Sequence, residues 1–243
     1  MTALRRGVIP FLLVLLLLIV EPGCGGRGGE EEEAWRREVD SSLRSLEELS
    51  SFRYRAHLQT WIVVSGQSVY GDERGEGSFL EGDFSVEITR ISPAGEEHLA
   101  FANRAGELYE QVGDSWNQIV PPQAPSPLYD PEVILELLTP YTSISLQGEE
   151  ERSGTTCRRY MLRLGDGAAR TALPETAWSY FSSLAFESSC SLWVSDESMP
   201  PAAFEIEILG SDTRESLQRY RLLATLEPSD FDSAEVQPAS PGE

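Results

Sequence analysis

The sequence predicts a mainly β fold with helices (α+β), built on one antiparallel sheet of about 10–11 strands with three helices beside it. Three observations carry this. At Ser50 and Ser51 the apolar period changes from 3.6 to 2, so a helix runs straight into a strand. After that point short alternating segments follow one another across Gly-, Asp- and Pro-bearing turns, the pattern of successive hairpins. Finally, 243 residues with 40% hydrophobic content suffice for one sizeable domain.

Each element can be justified in order. Trp35, Val39, Leu43, Leu46 and Leu49 form one apolar stripe on the first helix, and that stripe needs an apolar partner. In the strand that follows, Phe52, Tyr54, Ala56, Leu58, Ile62 and Val64 share a face opposed by Arg53, Arg55, His57 and Gln59. Residues 68–80 are polar and carry Gly71, Gly75 and Gly77, which suits an edge strand or a mobile hairpin. Strands at 84–91, 98–103, 107–112 and 115–120 then alternate with turns at 93–95, 105–106 and 113–114, an antiparallel meander.

The Pro-rich stretch 121–127 ends the meander, and Asp130 with Pro131 opens a helix as N-cap and first residue. Its Val133, Ile134, Leu137 and Leu138 leave no wet side, so it is expected to be buried or to act as a lid. Strands resume at 143–151 and, after a turn at 153–154, at 157–164. A third helix is expected over 174–186, and strands at 190–195, 202–209 and 216–228 complete the sheet. The expected organisation is a leader at 1–23, a flexible acidic tether at 24–33, one domain at 34–232, and a disordered acidic tail at 233–243.

Curved sheets of about eight strands fill their interior with their own side chains, and more strands leave a hollow unless something occupies it. The expected wall of that hollow is Tyr54, Leu58, Ile62, Phe84, Val86, Ile88, Tyr160, Leu162, Phe204, Ile206, Ile208 and Leu222, each of which ordinary core packing would equally explain. A guest chain held there would gain about 0.8 kcal/mol per buried methylene with no polar anchor.

Charge and motifs exclude several classes. With a formal net charge of −21, nucleic acid and anionic membrane surfaces are poor partners. The chain contains no lysine, hence no Schiff-base or Walker-type chemistry. No G-x-S-x-G, H-E-x-x-H or complete G-x-G-x-x-G occurs, and His57 and His98 stand far apart without a nucleophile nearby. The four glutamates at 30–33 lack the fixed geometry of a metal site. No catalytic residue, metal site or cofactor is therefore expected.

Arg5 and Arg6 precede an apolar run of 13 residues, 8–20. As a helix it spans roughly 20 Å, short of the roughly 30 Å of bilayer hydrocarbon, so it reads as an export signal, the alternative being a retained anchor. Gly23 directly before Cys24 resembles the lipobox of bacterial lipoproteins, with Glu21 and Pro22 departing from the usual aliphatic and small residues. The resemblance implies that Cys24 is acylated and holds the protein on the outer face of the cell membrane. Cys157 and Cys190 then form an even pair, either a disulfide or two buried free thiols.

Over residues 35–231 the order of elements resembles the LolA-like fold of lipoprotein carriers and of LppX/LprG-type exported lipoproteins. The residues that carry this are the helix end 49–54, the segment 106–119 with Tyr109 and Trp116, the segment 154–160 with Gly154, Cys157 and Tyr160, and Pro200 and Pro201 before a long hairpin. The resemblance implies a half-open barrel whose helix-covered concave face receives a lipid or acylated ligand, without catalysis. It also leaves room for an envelope sensor of the same shape that grips a partner protein.

Overall fold

The computed structural model describes residues 27–120, 124–152, 154–212 and 218–239. Eleven antiparallel strands form a single sheet in the order β6-β5-β4-β3-β2-β1-β11-β10-β9-β8-β7. The strands are β1 (Ser51–Val64), β2 (Gln67–Leu80), β3 (Asp83–Ser92), β4 (Gly95–Arg104), β5 (Glu107–Val112), β6 (Ser115–Gln118), β7 (Ser143–Arg152), β8 (Thr155–Arg163), β9 (Ala185–Val194), β10 (Ala203–Ser211) and β11 (Gln218–Ser229). Two hairpin meanders, β1 to β6 and β7 to β11, meet where β1 pairs with β11. Because β6 and β7 remain unpaired at the two ends, the barrel is half-open.

The helices are α1 (Arg27–Glu47), α2 (Pro131–Leu138), α3 (Ala168–Ala172) and α4 (Glu175–Phe181), with a 3-10 turn at Pro127–Tyr129. All contribute to one core against one face of the sheet: Val39, Leu43 and Leu46 from α1, Leu128 and Tyr129 from the turn, Ile134, Leu137 and Leu138 from α2, Ala169 and Ala172 from α3, and Phe181 from α4. The opposite face carries the charged residues of the alternating pattern, such as Arg53, Arg55, Glu76 and Glu87.

Five expectations need correction. The first helix begins at Arg27, so the acidic run expected as a flexible tether is its first turns. Carboxylates near a helix N-terminus are favoured by the helix dipole, and Glu32 also pairs with Arg36 one turn on, at 2.7 Å. β2 is no edge strand but lies inside the sheet between β1 and β3. Residues 174–186 are not one helix: α4 stops at Phe181 and β9 begins at Ala185, while α3 precedes them. The tail at 233–239 packs on the domain, with Val236 buried, the Ser233 carbonyl accepting from Ser51 Oγ at 3.4 Å, and the Ala239 amide donating to Ser85 Oγ at 2.8 Å.

The fifth concerns the cysteines, which form no disulfide. Cys190 pairs in register with Leu162 and faces the core, whereas Cys157 lies five positions up β8 and therefore on the other face, beside Trp193 and Ala203. At about 3.3 Å per residue they stand roughly 16 Å apart along the strand, beyond the reach of an S–S bond. Cys24 and the leader lie outside the described residues.

Candidate functional site: the covered concave face

Register shows how the inner face is assembled. Tyr54, Leu58 and Ile62 of β1 stand opposite Gly77, Glu73 and Val69 of β2 and opposite Pro228, Ala224 and Tyr220 of β11. The same rows continue through Phe84, Val86 and Ile88 of β3, and on the other side through Phe204, Ile206 and Ile208 of β10, Cys190 and Leu192 of β9, and Tyr160 and Leu162 of β8. The structure thus brings all twelve expected wall positions onto one face. Leu222, opposite Thr60, completes the row at the centre.

It does not leave the expected standing hollow there. Eleven of the twelve are at most 3% exposed, Ile62 is half-buried, and all belong to or pack against one continuous core with the helices. Side chains this inaccessible present no exposed apolar wall for an alkyl chain to lie along. The strand count suggested more wall than cover; α3, unforeseen in the sequence, together with Leu128 and Tyr129 of the 3-10 turn, makes up the difference.

The cover is fixed at one point by a pair of tyrosines. The Tyr54 hydroxyl donates to the Tyr129 carbonyl at 2.7 Å, and the Tyr129 hydroxyl donates to Glu73 Oε2 at 3.2 Å. Both rings sit against β2 where Gly77 and Gly75 have no side chain: a Cβ at Gly77 would collide with the Tyr54 ring, and one at Gly75 would stand 2.7 Å from Tyr129 Cε1. Alternating glycines in an interior strand are therefore seats for aromatic rings. Burial, with the Glu73 carboxylate beside it, pushes the Tyr129 phenol far above its ordinary pKa, so it remains a donor.

Two ion pairs interrupt the apolar inner face. Glu73 meets Arg90 at 2.7 Å, and Arg90 also reaches Glu97 at 3.2 Å. On the far side Arg158 of β8 pairs with the buried Glu38 of α1 at 2.8 Å, while Glu38 Oε1 and the Tyr160 hydroxyl lie buried without a well-aligned hydrogen bond. Burial pushes the Glu38 carboxyl up, with Tyr160 and Arg158 offsetting it only in part. Burial likewise raises the Cys190 thiol, which stays protonated in the core.

Openings reach the seam between cover and sheet at more than one place: a polar one lies between Ala34, Arg37 and Glu38 of α1 and Arg158 of β8, and an apolar one lies at α2. The latter, a crevice of about 320 Å³, near the lower limit for a ligand pocket, lies between α1, α2 and the starts of the β1–β2 hairpin. Leu46, Phe52, Phe79, Pro131 and Leu135 give it an apolar floor, and Phe52 and Phe79 stack with centroids 5.0 Å apart. Glu47, Glu132 and Glu136 line it as well. Sequence reading missed this seam because its residues come from four elements and share no motif.

On the outer face, Asp72 collects His57 at 3.2 Å, Tyr70 at 2.9 Å and Gln59 at 3.4 Å. Burial alone would raise its pKa, but these three bonds outweigh that and hold its carboxyl below the usual value. Among the described residues no group of three or more His, Cys, Asp or Glu is arranged to hold a metal ion. No described helix is long and apolar enough to cross a membrane.

No protein-family model and no curated protein matches this sequence. Solved structures do. LprF from Mycobacterium bovis superposes with a TM-score of 0.51 at 13% identity, covering 87% of this chain and 98% of its own. The lipoprotein LppX of Mycobacterium tuberculosis matches 87% of this chain and 100% of its own at 12% identity, with a TM-score of 0.48. Such identities speak to architecture alone, and on the first of these superpositions the chain has the LppX/LprG type of fold, a half-open antiparallel barrel with helices against its concave face.

Proposed function

We propose that this chain is a non-catalytic exported lipoprotein that binds a lipid or acylated amphiphile between the concave face and its helical cover. The observation that carries the reading is the inner face itself: an apolar surface spanning β3 to β8, closed over by helices that meet it through side chains rather than through the sheet's hydrogen bonds. A cover of that kind can part from the sheet without breaking a strand ladder. The crevice over Phe52 and Phe79 is where the parting would begin, since it already opens between α1 and α2. On this reading the structure is the closed arrangement, and an acyl chain takes over the contacts that Ile134, Leu137 and Leu138 make within the core.

The energetics are compatible. Each acyl methylene transferred from water contributes about 0.8 kcal/mol, so a chain of around ten offsets the separation of several cover side chains worth about 1.5–3 kcal/mol each. Cys24 is the proposed site of acylation, which would tether the domain to the outer face of the cell membrane.

Native mass spectrometry of protein purified from the envelope of its producing cells, before and after organic extraction, tests the reading. A ligand-bearing mass that collapses to the apo mass on extraction, and returns with a diacyl lipid, supports it. A single apo mass with no uptake sinks it. The closely packed inner face favours a second reading, an envelope sensor whose partner is a protein; a stoichiometric protein partner retained by a chain that takes up no lipid would establish that one instead.

A further inference from the structure

At the tip of the β1–β2 hairpin apolar side chains are exposed on both faces, among the uncharged Ser65, Gln67 and Ser68. From Leu58 to Gly71 no residue carries a charge, in a chain whose net charge is −21. Trp61 pairs with Tyr70 on the outer face, and Ile62 with Val69 on the inner. Ile62 packs against the core, but its neighbours do not: Trp61 is 51% exposed, Val69 62% and Tyr70 53%, with Val64 exposed beside the Ser65–Gly66 turn. Leu209 of β10, also exposed, lines the same outer groove as Trp61, and Arg219 and Arg221 border it.

We infer that this tip is a membrane-docking edge whose occupant is the interfacial layer of a neutral, zwitterionic lipid bilayer. The proposal does not depend on the carrier reading, since a hairpin can dock whatever the concave face holds. Two features select a bilayer. Paired Trp and Tyr at the base of an apolar tip match the amphipathic rings enriched at the level of lipid headgroups. The Arg219 stem at the groove can lie along apolar surface while its guanidinium head reaches phosphate, whereas Arg221 is held by Glu207 at 2.7 Å.

Size and charge argue against other occupants. A fully buried aromatic covers about 150–250 Å², so these half-exposed side chains together offer on the order of 500 Å², short of the roughly 800 Å² per partner of a stable protein interface. The acidic body is repelled by anionic surfaces, which leaves an uncharged projection as the part able to approach a membrane.

A local probe tests this in the full chain. Cys157 and Cys190 are both 0% exposed, so in a Cys24→Ser, Ser65→Cys variant a thiol-reactive fluorophore reports from the hairpin tip alone. With phosphatidylcholine vesicles carrying a shallow nitroxide on the acyl chain, the tip label is expected to lose at least about half its emission. Adding Val64→Asp and Val69→Asp should abolish the quenching while the thermal unfolding midpoint stays unchanged, because both residues are exposed. The proposal fails if the label stays bright although the chain cosediments with the vesicles, or if quenching survives the two aspartates. It also fails if the label reports contact with a second copy of the chain at rising concentration without vesicles.

Discussion

Gly75 and Gly77 have no room for a side chain, and the reason is the two tyrosines laid across them. Gly77→Ala would force a Cβ into the Tyr54 ring, and overpacking of this kind costs about 2–3 kcal/mol. Urea denaturation should show that loss, while Gly167→Ala, which meets nothing within 4 Å at an ordinary backbone angle, should change stability by less than about 0.5 kcal/mol. Two carboxylates should respond to pH in opposite directions. Glu38 has a raised pKa, so the stability linked to its protonated form is present below the unfolded value of 4.5 and is lost as pH rises through the folded value. Glu38→Gln, which keeps the shape and removes the buried charge, should therefore be at least as stable as wild type near about pH 8 and indistinguishable from it below about pH 4. Asp72 has a lowered pKa, so its stabilisation is present above 3.8 and is lost as pH falls through the folded value. Asp72→Asn should cost about 1–2 kcal/mol at neutral pH, and the gap should close in acid; urea midpoints across the pH range check both. None of this was legible in the sequence beyond the identity of the residues: Glu38 reads as one of the polar positions of an amphipathic helix, and only the register of β8 reveals that Arg158 and Tyr160 face it.

At the scale of elements, α2 is the part of the cover best placed to move. It is held at its start by Asp130, whose side chain accepts from the Glu132 amide at 2.9 Å, and Pro131 occupies the first helical position. Asp130→Ala should remove about 1 kcal/mol of helix stability. On the proposed function, amide exchange within Pro131–Leu138 should then quicken about fivefold, and uptake of an acylated probe should quicken with it while overall fold is retained. Strands and hairpins were readable because alternation and turn residues act locally: the 105–106 and 113–114 turns lie where the dipeptides put them. The misreadings came from longer-range causes. β2 looked like an edge because glycines weaken a strand, yet here they admit rings contributed by β1 and by the 3-10 turn. The acidic run before Trp35 looked like a tether because it has no apolar period, but continuity with an already formed helix suffices to keep it helical.

For the whole molecule, the sheet's one-sidedness was legible and the state of its interior was not. All twelve wall positions follow from period-2 alternation, and register places them on one surface. Whether that surface meets a hollow or a cover depends on how deeply α2, α3 and the turn before α2 penetrate, and side-chain fit across elements distant in sequence leaves no periodic signature. The closed arrangement makes a specific demand on any lipid-binding account: ligand must separate helices from sheet, so binding has to reach residues that are otherwise inaccessible. The most direct measurement is photo-crosslinking with a diacyl lipid carrying a photoreactive group near the end of one acyl chain, followed by peptide mapping. The account predicts adducts on Leu58, Ile206 or Leu222 on the concave face and on α2; adducts confined to the outer face and the hairpin tip, or none at all, would contradict it.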